Sequence, residues 1–136
     1  MSLDAASSLA VLGARRSYRL PYFKAHMECR ERAGWIEYRS RRVPGDGEPA
    51  ELVCRYRPTG LEAPAAPGSL EHWLTERYCL WTLDEHGDQL RADIHHPPRP
   101  LRTAEASFDL NTMAEAYGLR LKEPPAFSIS PAARTS

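Results

Sequence analysis

Two proline-bracketed segments hold the residues of this chain whose types and spacing could do chemistry. The first runs from Arg15 to Met27 and the second from Ile94 to Leu101. Each places ionisable side chains beside proline, whose ring fixes the backbone angle φ. A rigid backbone holds a side chain in one direction, so both segments indicate where a site would lie. Neither matches a motif with a known reaction, and the pattern alone names no activity.

The second segment contains two adjacent histidines, His95 and His96, followed directly by proline. Imidazole changes protonation near neutral pH, so either ring is a candidate general acid or base. Neighbouring residues of an extended strand point to opposite faces, so the two rings cannot easily bind one ion, and we expect no metal site. We expect His96 to point inward, because Ile94 shares its face. The competing interpretation makes one histidine a packed strand residue and the other a surface residue.

An acid, a cation and a phenol follow one another where a predicted helix meets a strand: Glu76, Arg77 and Tyr78. Such a set can line a pocket, with Glu76 as a second candidate acid or base and with Arg77 and Tyr78 as ligand contacts. The same three residues could instead form an internal ion pair that fixes the helix end. Tyr22, which follows Pro21, is either a pocket hydroxyl or a core aromatic.

Arginine dominates the cations, because of 18 basic residues only Lys24 and Lys122 are lysine. Arginine binds carboxylate or phosphate as a planar fork, but it is not a nucleophile. Four arginines alternate on two neighbouring predicted strands, at Arg39, Arg41, Arg55 and Arg57. They form either an exposed basic stripe or cross-strand pairs with Glu37 and Glu51.

The net charge of zero gives no global field that would recruit nucleic acid or an anionic membrane, so we expect neither as a partner. No run approaches the roughly 20 apolar residues of a membrane-spanning helix, and the charges around residues 9–12 stand in the wrong order for a signal peptide. Cys29, Cys54 and Cys79 form no C-x-x-C pair, so a zinc ribbon is not indicated. Three unpaired thiols fit a reducing cytoplasm, where we expect the protein.

Alternating apolar and polar residues predict a half-buried antiparallel meander, with strands at 24–31, 35–43 and 51–57. Further strands are predicted at 78–83 and 89–95, which form a hairpin, and at 101–108 and 126–130. Short helices are predicted at 3–12 with a Ser or Asp cap and Gly13 as the stop, at 69–77 with Ser69 as the cap, and at 111–117 with Gly118 as the stop. We expect one domain, 1–136, of β-rich α+β class, with an ordered core at about 3–130.

Three separated motifs resemble the YqjF-like family of uncharacterised bacterial proteins, which carry the domain of unknown function 2071. The motifs are LPYFKAHM at 20–27, SLEHWLTERY at 69–78 and IHHPP with PL at 94–101. The resemblance runs from about residue 3 to residue 130 and keeps the family's order of motifs. Family members usually carry a further N-terminal portion, so the resemblance implies that part of the domain, and of its pocket, is absent here.

The family is similar in fold to acetoacetate decarboxylase, so the resemblance implies antiparallel strands that form part of a β-rich barrel. That enzyme uses a lysine of lowered pKa to form a Schiff base. The residues that match the spacing before its two lysines are Arg15, Tyr18 and Pro21. Tyr22 and Phe23 stand at the lysine positions themselves, and Lys24 lies more than about 6 Å along a strand from the first of them. The resemblance therefore does not carry over the Schiff base, and we expect no cofactor.

Three functions remain open. The first is a domain that binds a small carboxylate or carbonyl compound without a Schiff base, through Tyr22, Arg77, Tyr78 and His95. The second is an acid/base enzyme on a small carbonyl substrate that uses His96 or Glu76. The third is a structural domain that dimerises through exposed strands. We expect a homo-oligomer, because missing N-terminal strands would leave sheet edges unpaired. The sequence does not decide whether the chain is an enzyme.

Overall fold

A computed structural model describes residues 3–98, 100–120 and 129–131 of the chain. The chain divides into two compact units, each built from two stretches. The first unit takes the described residues of Met1–Arg57 and Ala106–Ala126, and the second takes those of Pro58–Glu105 and Phe127–Ser136. The predicted start of the last strand, residue 126, lies outside the described residues. The predicted end of the ordered core, near residue 130, lies beside residues 132–136, which are also outside the described ones. The single domain over 1–136 stays a prediction.

Strands supply most of the described secondary structure. They are β1 (Leu3–Ala5), β2 (Tyr22–Arg32), β3 (Trp35–Arg42), β4 (Glu51–Pro58), β5 (Cys79–Leu83), β6 (Gln89–Asp93), β7 (Leu101–Asn111) and β8 (Ile129–Pro131). The helices are α1 (Ser8–Tyr18), α2 (Leu70–Thr75) and a short 3-10 helix at Glu115–Tyr117. One sheet has the strand order β1-β2-β3-β4-β7-β8, and β5 and β6 form a separate pair. The β-rich class predicted from the sequence is confirmed.

The strands are not all antiparallel, because β1 runs parallel to β2 and makes the larger sheet mixed. Leu3 lies opposite Tyr22, and Ala5 lies opposite Lys24. The predicted helix at 3–12 is therefore wrong at its start. The backbone of these few residues is satisfied by hydrogen bonds to a strand that follows much later in the chain, and no local pattern reports such a pairing.

Helix α1 also continues past its predicted stop at Gly13. The side chain of Ser7 caps the helix and accepts a hydrogen bond from Ala10 N at 3.3 Å. An internal glycine costs about 1 kcal/mol relative to alanine, which is too little to end a helix that is supported elsewhere. The helix ends instead at Arg19, whose φ of 49° is left-handed. Glycine is the usual residue at such a position.

The predicted meander is confirmed as β2, β3 and β4, and its register defines two faces. One face carries the rows Met27–Ser40–Leu52 and Cys29–Tyr38–Cys54, and the other carries Glu28–Arg39–Val53 and Arg30–Glu37–Arg55. Among the described residues of the first unit, the few buried ones lie close to the start of this meander. They are Val11, Ala25, Ser40, Arg42 and Ala50.

Three of the four alternating arginines lie opposite or against an acid of the neighbouring strand. The directly opposite pairs are Glu37 with Arg55 and Glu51 with Arg41. Arg39 Nη2 also lies 2.8 Å from Glu51 Oε1. Arg55 and Arg57 lie over the ring of Trp35, at 5.1 and 4.9 Å from its centroid. Arg39, Arg41 and Arg55 thus follow the cross-strand interpretation, whereas Arg57 lies against the Trp35 ring.

In the second unit, the predicted hairpin is confirmed as β5 and β6. Its pairs run from Cys79 opposite Asp93 to Leu83 opposite Gln89. Asp84 Oδ1 closes the turn by accepting hydrogen bonds from the backbone N–H groups of His86 and Asp88. Ser69 caps α2 as predicted and accepts from His72 N at 3.1 Å.

The helix predicted at 111–117, which belongs to the first unit, is only partly present. Strand β7 continues to Asn111, and the helical part is the 3-10 turn at Glu115–Tyr117. Gly118 ends it with a left-handed φ of 72°, as its position predicts.

Candidate functional site

A buried ion pair organises the first unit where β1, β2 and β3 meet. Arg42 Nη2 lies 2.8 Å from Asp4 Oδ1, and the two side chains are only 2% and 3% exposed. Arg42 Nε donates to the same oxygen at 3.1 Å, and Nη1 donates to Glu48 O at 2.8 Å. These hydrogen bonds satisfy a charge that would otherwise be costly to remove from water.

Two guanidinium groups lie over the ring of Phe23 in β2. Arg42 stands 4.0 Å from the centroid of the phenyl ring, and Arg15 of α1 stands 5.3 Å from it. Gly47 also packs against the ring, because a Cβ built on Gly47 would stand 2.5 Å from Phe23 Cε1. Cations are attracted to the negative face of an aromatic ring, so Phe23 fixes both arginines in place.

Asp46, in the loop between β3 and β4, connects α1 to β2. It accepts hydrogen bonds from the backbone N–H of Lys24 and from Arg15 Nη2, the latter at 2.7 Å. Arg15 Nε donates to Tyr22 O at 2.6 Å. The Lys24 N–H, followed by the Arg15 guanidinium, holds the pKa of Asp46 below its ordinary value. Asp46 is therefore a fixed negative charge between two cationic residues.

A cavity of about 430 Å³ opens beside these residues. Its lining is Ser8, Val11, Leu12, Arg15, Lys24, Val43, Pro44, Gly45 and Asp46. The two cations and one carboxylate leave one net positive charge, and the other side chains are mainly apolar. We call these nine residues the α1 cavity. An apolar wall with a few fixed polar groups is typical of a small-molecule site, and the charge suits a small anion.

Lys24 lines the α1 cavity, and its Nζ donates a hydrogen bond to Ala6 O. Tyr22, the residue singled out from the sequence, is half-buried at the start of β2 and is not part of the lining. Arg15 and Asp46 carry no ligand role in the prediction from sequence. The only feature of the sequence that could have indicated Asp46 is its position between two glycines, in a segment that reads as a flexible loop.

In the second unit, the structure brings together three of the predicted site residues. The Tyr78 hydroxyl donates to Glu76 Oε2, and this hydrogen bond raises the pKa of Tyr78. The ring of Tyr78 stacks on His96 with 4.7 Å between centroids and 20° between planes. His96 Nε2 lies 3.2 Å from Arg77 O. His96 is half-buried, whereas His95 is exposed.

The Arg77 side chain contacts the helix that precedes it. Its guanidinium stands 3.8 Å from the centroid of the Trp73 ring. Trp73 itself is 60% exposed, so this pair lies at the surface. The cluster of Glu76, Tyr78 and His96 therefore meets at a surface junction, with Arg77 attached to it through its backbone carbonyl.

A second groove, of about 480 Å³, lies over the meander of the first unit. Its charged lining residues are Arg30, Arg39 and Arg55 with Glu28, Glu37 and Asp109. Burial, followed by the charge of Asp109, raises the pKa of the Cys54 thiol in this groove. The positive and negative charges balance, and the thiol is held in its unreactive form. The α1 cavity, by contrast, carries a net positive charge.

In the part of the chain that the structure describes, no three His, Cys, Asp or Glu side chains come together as a metal site would require. The helices among the described residues are too short or too polar to cross a membrane.

Comparison with known proteins bears out the predicted family. A family model, DUF2071, described as an uncharacterized conserved protein (COG2071), matches residues 1–134. The chain is 42% identical over 122 residues to the uncharacterized protein YqjF of Bacillus subtilis (strain 168), a match that covers 90% of the chain and 49% of the relative. The chain thus spans about half the length of that relative. No solved structure matches the chain, so the acetoacetate decarboxylase-like fold stays a prediction. The chain belongs to the DUF2071 family.

Proposed function

We propose that the first unit binds a small carboxylate or carbonyl compound in the α1 cavity without forming a covalent bond to it. The observation that carries the proposal is that two cationic residues, Arg15 and Lys24, line one cavity with mainly apolar walls. A carboxylate would neutralise the net positive charge, and a short alkyl chain would contact Val11, Leu12 and Val43.

Arg15 supplies a donor group that is already in position. Its Nε and Nη2 atoms are bound to Tyr22 O and Asp46, and its guanidinium is held near Phe23. A guanidinium has five N–H donors, so these two hydrogen bonds leave others for a carboxylate. A group that is fixed before binding loses little entropy when the ligand arrives, which favours affinity.

Lys24 takes an electrostatic role in this proposal. A Schiff base requires an amine with a free lone pair that is directed at the carbonyl carbon. The Nζ of Lys24 is instead directed at Ala6 O as a hydrogen-bond donor. Borohydride reduction in the presence of acetopyruvate should therefore leave the mass of the protein unchanged. A reduced adduct on Lys24 would show that the lysine is a nucleophile.

Isothermal titration calorimetry with acetoacetate and butyrate tests the site. We expect millimolar or tighter binding, and Arg15→Gln should weaken it about tenfold, the equivalent of 1.4 kcal/mol. Arg55→Gln is the matched control, because Arg55 lies on the meander over Trp35 and not in the cavity. Absence of binding to either probe, or equal affinity in the Arg15→Gln protein with an unchanged circular dichroism spectrum, would contradict the proposal.

A second function, acid/base catalysis on a small carbonyl compound, is supported by the cluster in the second unit. Glu76 is hydrogen-bonded to the Tyr78 hydroxyl, and His96 stacks on the same ring. A base there would take an α-proton from a ketone and return a deuteron in D₂O, which proton NMR of acetoacetate would detect. The wild-type rate should exceed the buffer rate and fall in Glu76→Gln and His96→Asn. Exchange at the buffer rate would eliminate this function.

A further inference from the structure

Strand β2 leaves most of one side unpaired among the described residues. It extends from Tyr22 to Arg32, but β1 pairs only with Tyr22–Lys24. On its other side, β3 pairs with all of Ala25–Arg32. No described strand lies on the outer side of residues 25–32, which we call the β2 edge. Native proteins cover or charge such edges, because the free N–H and C=O groups bind other strands.

The hydrogen-bond pattern determines which residues of the β2 edge offer backbone groups to a partner. Val43 N donates to Lys24 O at 2.9 Å, so Lys24 directs its backbone groups at the β3 side. Hydrogen-bonding residues alternate along an antiparallel ladder, so the even-numbered residues of β2 bond to β3. The odd-numbered ones direct their N–H and C=O groups outward, and they are Ala25, Met27, Cys29 and Glu31.

We propose that the partner of the β2 edge is a second copy of this chain, paired antiparallel about a two-fold axis that passes through Cys29. A two-fold dimer pairs the same strand from both copies. A residue that precedes the axis therefore faces the partner residue that follows the axis by the same number of positions. The axis at Cys29 makes Cys29 face the partner's Cys29. Met27 then faces the partner's Glu31. Odd-numbered residues therefore face odd-numbered residues throughout, and their outward-directed N–H and C=O groups can bond to each other.

Charge selects this register over its neighbours. With the axis at Cys29, Glu28 lies opposite the partner's Arg30, and Arg30 lies opposite the partner's Glu28. An axis at Glu28 would place two carboxylates opposite each other, and an axis at Arg30 would place two guanidinium groups opposite each other. Opposite charges that face each other across strands stabilise the pairing, and like charges destabilise it.

The side chains of this pairing are available at the surface. Glu28 and Arg30 are 62% and 74% exposed, and they contact each other within the strand at 3.2 Å. An exposed pair of this kind contributes little, so exchanging it for two pairs across the axis costs little. Glu28 and the partner's Arg30 occupy a non-hydrogen-bonded position, where cross-strand side chains come closest.

Cys29 provides a direct report of the register. It is a free, exposed cysteine. Residues that face each other in a hydrogen-bonded antiparallel pair have Cα atoms about 5.5 Å apart, which lies within the range of a disulfide. The proposed dimer is held by backbone hydrogen bonds and ion pairs and needs no disulfide. The distance between the two Cys29 residues should nevertheless allow mild oxidation to form one across the axis.

The first test combines sedimentation with cross-linking. The Cys54→Ser/Cys79→Ser protein, which retains Cys29 alone, should sediment as a dimer at micromolar concentration and should form a disulfide-linked dimer with copper phenanthroline. The matched control, Cys29→Ser/Cys79→Ser, should sediment as the same dimer and remain free of covalent dimer. A monomer at 100 µM, on the order of the concentrations at which weak interfaces form, overturns the proposal. So does a dimer in which Cys29 does not cross-link.

Charge reversal provides the second test. Glu28→Arg alone and Arg30→Glu alone should each raise the dissociation constant at least about tenfold, because like charges then meet twice across the axis. The double variant Glu28→Arg/Arg30→Glu should restore the wild-type dissociation constant, since the pairs re-form with exchanged charges. Two weakened single variants without rescue in the double variant contradict the Cys29 register. Ligand affinity at the α1 cavity does not enter either test.

Discussion

Arg42 and Asp4 form an ion pair that is almost completely removed from water, with 2.8 Å between Nη2 and Oδ1. The two residues lie 38 positions apart and join β3 to the short parallel strand β1. In the described part of the chain, Asp4 Oδ2 is buried without a hydrogen-bond partner. The pair therefore depends on its Coulomb attraction and on the hydrogen bonds of Oδ1 to offset the loss of hydration.

Removing one member of this pair should destabilise the chain strongly. Asp4→Ala leaves the Arg42 charge buried without its carboxylate, and the free energy of unfolding should fall by about 3–5 kcal/mol. Asp93→Ala breaks the exposed ion pair with Arg91 instead and should cost at most about 1 kcal/mol. Urea unfolding followed by circular dichroism measures both. Equal losses in the two variants would mean that the Asp4 pair contributes no more than a surface contact.

Gly47 should be far less tolerant of alanine than its neighbour Gly45. Both have left-handed φ angles, 95° and 84°, so both alanine variants incur backbone strain. Only at Gly47 would the new Cβ overlap a side chain, at 2.5 Å from Phe23 Cε1, and at Gly45 it meets nothing within 4 Å. We expect Gly47→Ala to cost about 1–3 kcal/mol more than Gly45→Ala in thermal unfolding. The double variant Phe23→Leu/Gly47→Ala should recover part of that difference.

The sequence predicted the parts of the fold that local pattern determines. Alternation identified β2, β3 and β4, and the segment at 84–88 identified the β5–β6 hairpin, because side-chain direction and turn chemistry follow from neighbouring residues. It did not predict β1, since a three-residue strand exists only through its pairing with Tyr22–Lys24. The run at 9–12 is helical and a serine, Ser7, caps it, both as predicted, but the helix ends at Arg19 and not at Gly13.

The candidate site was less predictable than the fold. Asp46 lies in a Gly- and Pro-rich segment that reads as a flexible loop, yet contacts to Arg15 and Lys24, 31 and 22 residues away, hold it in place. Such contacts leave no periodic signal. Alternation along residues 94–96 does separate His96, which is half-buried, from the exposed His95, but it does not report the stacking of His96 on Tyr78.

The stability of the chain should depend on Asp46 in acid. The pKa of Asp46 is lowered in the folded state by the Lys24 N–H and by Arg15, so the ionised carboxylate binds more tightly to the fold than the protonated one. Its contribution is fully present above the unfolded value of about 3.9 and is lost as the pH falls through the folded pKa. Asp46→Asn should lower the stability at pH 7 and flatten its fall below pH 4. Parallel stability curves for the two proteins between pH 2 and pH 5, a range that brackets carboxylate titration, would contradict this assignment.

Tyr78 should ionise at a higher pH than an ordinary tyrosine side chain. Its hydroxyl donates to Glu76, and this hydrogen bond, followed by desolvation and the negative charge of Glu76, raises the pKa of the phenol. Glu76→Gln removes the charge and should bring the pKa of Tyr78 back towards about 10. The chain has six tyrosines, so the Tyr78 signal is the difference between the ultraviolet pH titrations of the parent protein and its Tyr78→Phe variant. Glu71→Gln, which removes an acid of α2 in the same unit, is the matched control and should leave that difference curve in place. If Glu76→Gln and Glu71→Gln give the same curve as the wild type, then Glu76 does not hold the Tyr78 proton, and acid/base catalysis by this pair loses its structural basis.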